Sequence, residues 1–126
     1  MTHKEIIELL SDDIRIANGY EFPSEHYAER KYGRIKDICR AISEFARDDY
    51  SYEVDEAKRQ FRIMFEIASY RVQKVMLAEL EEWAKSYKES TNPHIKEMYK
   101  RHFKPLIEDM TDTIRFWEAS RKGEQP

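Results

Sequence analysis

Apolar residues along this chain recur at steps of three and four, the period of a helix face rather than the alternation of a strand. Ile6, Leu9, Leu10 and Ile14 define a first amphipathic segment from about Lys4 to about Arg15. "NGYEFPS", with Gly19 and Pro23, interrupts it. A second segment opens near Ser24, an N-cap residue type with Glu25 behind it to meet the positive helix end. Its apolar positions are Tyr27, then Ile35, Ile38, Cys39, Ile42 and Phe45, which share one face. Gly33 inside it reads as a mark of close packing. This segment ends near "RDDYSY".

A third segment runs from about Tyr52 to about Lys88 with no Gly or Pro. The pattern therefore predicts one unbroken helix of about 37 residues and about 55 Å. The fourth begins after "STNP", with Asn92 as cap and Pro93 at the first helical position. It carries Ile95, Met98, Tyr99, His102, Phe103, Leu106, Met110, Ile114 and Trp117. Pro105 lacks an N–H and predicts a kink or a split. "RKGEQP" reads as a tail or linker, leaving residues 1–120 as the folded unit. The expected fold is all-α: a helical bundle of about four to five helices with one long central helix.

That long segment has two apolar faces. At about 100° per residue, Val54, Ala57, Phe61, Met64, Phe65, Ala68, Val72, Val75, Met76 and Trp83 fall on a broad one. Ile63, Ile67, Tyr70 and Leu77 fall on a second, roughly opposite. Arg62, Glu66, Ser69 and Gln73 form a narrow polar strip. A helix on the outside of a bundle has one apolar stripe. Two stripes predict a helix surrounded by neighbours, from its own chain or from another subunit. Arg71 and Lys74 point into the gap between the faces, with no acid at i±3 or i±4. Either they meet an acid of another helix or subunit, or their stems lie on apolar surface and their heads reach water.

Composition narrows the class. A chain of 126 residues suits one domain, and three glycines and four prolines suit helices. The net charge of −3 supplies no field toward nucleic acid. A single cysteine excludes an intrachain disulfide and a Cys-based zinc site, and fits a reducing compartment. No apolar run approaches the roughly 18 residues of a membrane span, and the N-terminus lacks a signal-peptide core. The chain reads as soluble and intracellular, with no membrane partner.

Candidate chemistry is sparse. His26 with Glu29, and His94 with Glu97, place two ligand types on one side of a helix. Helical di-iron sites use the reverse order, Glu-x-x-His, with further core glutamates. Neither that order nor H-E-x-x-H occurs, so both pairs read as surface polar residues. His102 lies on an apolar stripe and reads as a core or interface residue. Cys39 reads as a small packed hydrophobe. There is no Gly-rich phosphate loop. No catalytic residue, metal or cofactor is expected, and no enzyme. Two basic clusters remain: Arg30, Lys31, Arg34, Lys36 and Arg40, then Lys96, Lys100, Arg101 and Lys104. With Tyr32, Tyr99 and Phe103 interleaved they offer an alternative reading, a helical module with weak affinity for nucleic acid. The overall charge favours a solvated helix face.

The order of elements is similar to that of a known family. A short helix, "EIIELLSDDI", is followed by a Pro/Tyr-containing entry to a second, "FPSEHYAERKYGRI". A long helix with an Arg-x-x-Lys-hydrophobic element comes next, and then a helix with an early Tyr. This resembles the helical A-domain of the GINS family, in the archaeal and eukaryotic subunits that place the A-domain first. The matching positions are Phe22, Tyr27, Arg71, Lys74, Val75 and Tyr99, and the resemblance spans about Ile6 to Trp117. Order and length of the elements carry more of it than any motif.

The resemblance implies a non-enzymatic DNA replication factor, cytoplasmic in an archaeon or nuclear in a eukaryote. Sister GINS subunits would assemble through their helices into a homo- or hetero-oligomer. That complex would bridge the MCM helicase to a RecJ-like or Cdc45-like protein. Joined to the two-faced helix, it predicts an assembly surface of Arg71, Lys74, Tyr70, Ile63, Ile67, Leu77 and Tyr99. Family members also carry a small β-rich B-domain, and nothing here reads as strands. The chain is then either an A-domain ending in its linker or a subunit without a B-domain.

Overall fold

The computed structural model describes residues 1–18 and 24–124. Gly19, Phe22 and Pro23 lie outside the described residues. The elements are α1 (His3–Asn18), α2 (Ser24–Arg47), α3 (Ser51–Ile67), α4 (Tyr70–Lys88), α5 (Pro93–Met98), a π-helical turn (Tyr99–Phe103) and α6 (Lys104–Glu124). No strand occurs among the described residues, and the fold is an all-α bundle. The segments α5, π turn and α6 follow one another without a gap. Helix α6 continues through residues 121–124, part of the stretch read from sequence as a tail.

Helices α2 and α4 form the centre of the packing: α2 lies against α1, α3 and α4, and α4 also meets α1, α3, α5, the π turn and α6. Leu10, Ile35, Ile42, Phe61, Met76, Leu80 and Phe103 are fully buried where these helices meet. Each such side chain contributes about 1.5–3 kcal/mol on burial. The turn after α2 closes as a Schellman motif: Tyr50 N–H donates to the Phe45 carbonyl and Asp49 N–H to that of Ala46. Asp49 takes the left-handed conformation at φ 58°, which an aspartate tolerates better than most residues. The Phe45 and Tyr50 rings meet edge-on across the motif. At the start of α5, the Asn92 side chain accepts from the backbone N–H groups of His94 and Ile95, with Pro93 behind it as expected.

Three expectations change, two by correction and one, at Pro105, in its form. The first is the unbroken central helix. Ala68 and Ser69 are extended, with ψ of 150° and 161°, and divide it into α3 and α4. Ser69 caps α4 by accepting from Val72 N–H at 3.3 Å, and its hydroxyl donates to Asp13 Oδ1 of α1 at 2.6 Å. Gln73 Nε2 donates back to the Phe65 carbonyl at 2.8 Å, a second bond to an acceptor that also takes Ala68 N–H at 3.2 Å at the end of α3. Side chains thus replace the helix bonds lost at the junction.

The second is Pro105. The interruption expected there takes the form of a turn one residue wider, the π turn that joins α5 to α6 just before the proline. Lys104 N–H donates to the Tyr99 carbonyl, five residues back. This wider turn displaces the carbonyl that the proline ring would otherwise strike. It also aligns the core face. Five positions separate Met98 from Phe103, then three, four and four lead to Leu106, Met110 and Ile114, and all five residues are buried. The third is Gly33. A Cβ built there meets nothing within 4 Å, so the glycine marks no close approach.

Candidate functional site

The helix break divides the predicted assembly surface. Ile63 and Ile67 stay on the outer face of α3, 45% and 83% exposed, opposite the buried Phe61 and Phe65. Tyr70 and Leu77 come after the break and are partly buried against the core. The Tyr70 hydroxyl donates to Glu118 Oε1 of α6 at 2.8 Å. Half of the second apolar stripe is therefore satisfied within the chain, and half is not. Arg71 and Lys74 do not sit in a gap between two packed faces: both are exposed. Lys74 Nζ stands 5.5 Å over the Tyr70 ring, a cation–π contact, and Arg71 pairs with no acid among the described residues. Tyr99 packs against the core from the π turn, and Val75 is buried.

Beside the exposed isoleucines runs a groove between α2 and α3, with a volume of about 630 Å³. Ile38, Ala41 and Phe45 of α2 and Ala57 and Met64 of α3 form its apolar floor, and Arg34, Asp37, Glu53 and Glu56 its rim. Ile38 and Phe45 belong to the apolar face of α2 read from sequence, yet they are only partly covered. On α3, Gln60 and Met64 of the groove lie one position short of a turn from Ile63 and Ile67, so groove and isoleucines adjoin.

A second concavity was missed by sequence reasoning. It is a notch of about 550 Å³ at the α3–α4 junction, walled by Phe65 and Tyr70 and, across from α6, by Trp117. Glu66 is the charged residue that lines it. Gln73, placed on a polar strip by periodicity, is 4% exposed and also lines it. One signal was available: Gln73 stands between Val72 and Val75, both buried.

The remaining candidates are held in place by ordinary packing. His3 Nε2 lies 2.9 Å from Glu29 Oε1, and His94 Nε2 is 3.3 Å from the Arg47 carbonyl, so neither H-x-x-E pair is used as a unit. Among the described residues no cluster of His, Cys, Asp and Glu is arranged to hold a metal ion. Cys39 is fully buried and burial pushes its thiol well up, which keeps it unreactive. Burial and the hydrogen bond to Glu79 push the Tyr32 phenol up to about 12. His102 is buried on the π turn with Nδ1 unpartnered. Burial, with Lys58 and Arg101 nearby, holds its imidazole below the usual range, against the pull of Asp55 and Asp49.

The basic clusters are partly neutralised. Lys31 meets Asp13 at 3.6 Å, Arg40 meets Asp37 at 3.8 Å, and Arg101 meets Glu97 at 3.5 Å. Lys36 sits over the Tyr32 ring at 4.7 Å. No helix among the described residues is long and apolar enough to cross a membrane.

Fold and surface together define an all-α bundle whose outer α3 face and α2–α3 groove are apolar and open. No protein-family model matches the chain, no curated protein matches it in sequence, and no solved structure matches it.

Proposed function

We propose that this chain is a non-enzymatic assembly module that presents apolar helix surface to another protein subunit. The observation that carries the reading is Ile67, 83% exposed, with Ile63 one turn before it and the α2–α3 groove alongside. Covering one isoleucine of this kind is worth about 1.5–3 kcal/mol, a strong drive toward a partner. A helix laid along α3 would cover both isoleucines and part of the groove floor at once.

The finer form of the proposal is a subunit of a GINS-like complex that links the MCM helicase to a RecJ-like or Cdc45-like protein in DNA replication. Its support is the order of the helices and the Arg71-x-x-Lys74-Val75 element. The division of the long helix into α3 and α4 removes one of the lengths on which that likeness drew.

Sedimentation of the chain, alone and mixed with GINS-type subunits, tests both levels. The expected result is a concentration-dependent oligomer or a mixed complex, abolished by Ile67→Glu while the circular dichroism of the helices is kept. A folded monomer at high concentration that binds none of these proteins overturns the reading.

A further inference from the structure

We propose that two copies of this chain exchange halves: α3 and α4 join into one helix through Ala68 and Ser69, and α1–α3 of each copy pack on α4–α6 of the other. This rests on the assembly reading and deepens it by naming the partner as a second copy of the chain.

The argument begins with the shape of the connection. Helix α3 returns along α2 after the turn at Asp48–Tyr50. Helix α4 then runs in the direction of α2, because Tyr32 meets Glu79 and Ser43 meets Tyr87. The chain therefore reverses across Ala68 and Ser69 alone. Local sequence does not require the reversal. No glycine or proline occurs from Tyr52 to Lys88, and alanine is the strongest helix former. What holds the reversal is a small set of contacts peculiar to it. The Ser69 hydroxyl donates to Asp13 and caps α4, and the Gln73 amide reaches the Phe65 carbonyl. Joining the helices gives these up. In return the N–H groups of Ser69 to Val72 gain the carbonyls of Phe65 to Ala68 in helix geometry. A short connection between two packed halves is where exchange between copies begins.

Exchange keeps the rest of the fold. The halves meet through Tyr32 and Glu79, Ser43 and Tyr87, Arg62 and Asp109, and the packing of α1 and α2 on α4. Each of these contacts forms as well between copies as within one, so no new core is needed. The new surface lies on the two joined helices, which pass side by side between the packed units. Ile67, the last residue of α3, is 83% exposed, and Ile63 stands one turn before it. Both lie beside the break, where the partner's helix passes, and covering them in each copy favours the pair. Dilution favours the closed monomer, and high protein concentration the exchanged dimer.

Two substitutions of Ser69 test this against each other. Ser69 has φ −65° and ψ 161°, and Ala68 before it is extended, a backbone that suits a proline. In a joined helix the same proline lacks its N–H and strikes the Phe65 carbonyl. Ser69→Pro is therefore expected to remain a folded monomer by circular dichroism and to form no dimer. Ser69→Ala removes the same hydroxyl but suits a helix. It is expected to raise the dimerisation constant about thirtyfold, about fivefold for each of the two caps that the dimer no longer uses. Both are read by sedimentation after incubation at high concentration in sub-denaturing urea and return to buffer.

Exchange itself is read by mixing Arg62→Cys chains with Asp109→Cys chains and adding a short bismaleimide. The two positions meet at 3.3 Å within one chain. A cross-linked mixed dimer, identified by its mass, is expected after the urea treatment and not before it. The inference is overturned if the unsubstituted chain and Ser69→Ala both stay monomeric, if Ser69→Pro dimerises as well as Ser69→Ala, or if no mixed cross-link forms. A dimer that survives Ser69→Pro and is lost with Ile67→Glu also overturns it, while leaving the assembly reading in place without exchange.

Discussion

At Ala68 and Ser69 a run without glycine or proline leaves the helix, while at Pro105 a run with a proline stays in it. The two sites differ in what replaces the lost backbone bonds. At the α3–α4 junction the replacements are side chains: Ser69 caps α4 and reaches across to Asp13, and Gln73 returns to the Phe65 carbonyl. At Pro105 the backbone itself adjusts, through one wider turn closed by the Lys104 N–H bond to the Tyr99 carbonyl. That turn also places Met98, Phe103, Leu106, Met110 and Ile114 on one buried line. A helix break thus follows from tertiary contacts, and a helix survives a proline because its core register favours the wider turn.

The sharpest way to break this comparison is Phe103→Ala. Phe103 is fully buried on the π turn, with its ring 4.9 Å from that of Tyr87. If core register maintains the turn, truncation should destabilise the fold by about 3–5 kcal/mol in urea denaturation. A loss under about 1 kcal/mol would leave Pro105 as the sole cause of the widening.

The junction predicts a smaller effect. Ser69→Ala removes the α4 cap and should lower stability by about 1 kcal/mol. Asp13→Asn, combined with it in a double-mutant cycle, should reveal a coupling of about 0.5–1 kcal/mol between the two residues. Additive losses would mean that α1 does not hold the break open.

Acid separates the two sites further. The π turn contains a buried His102 whose imidazole burial holds below the usual value of 6.5. A depressed folded pKa means that folding favours the neutral ring. The associated stability is fully present above pH 6.5 and is lost as pH falls through the lower folded value. Denaturation midpoints should therefore fall more steeply on acidification in the native chain than in His102→Gln. Hydrogen exchange should locate the added opening at the π turn. Equal slopes in the two proteins would remove His102 from the account.

The contrast also explains what the sequence disclosed. The cap at Asn92, the end of α2 at "RDDYSY" and the apolar faces of α1 and α2 rest on neighbours within a few residues, and periodicity and capping chemistry reveal them. The junction rests on Ser69 meeting Asp13, 56 residues away in the chain, and no local pattern contains that contact. The π turn was not legible: Met98, His102, Leu106, Met110 and Ile114 are all buried at steps of four, a spacing that a helix without a wider turn also gives. Of the candidate site, exposed Ile63 and Ile67 were legible as a second stripe. The notch was not, because α6 supplies one wall and the break supplies the floor.

Arg71 is where the difference between one helix and two is most directly measured, through an effect expected to be nearly absent. In an unbroken helix it would lie between two apolar faces, and removing it from a buried partner would cost a few kcal/mol. In the divided form it is the second residue of α4, exposed and unpaired with any described acid. Its position near a helix N-terminus sets its cation against the positive end of the dipole. Arg71→Ala should then change folding stability by less than about 0.5 kcal/mol, with any resolved change toward greater stability. A loss above about 1.5 kcal/mol in urea denaturation would mean that α3 and α4 join in solution and return Arg71 to an apolar gap.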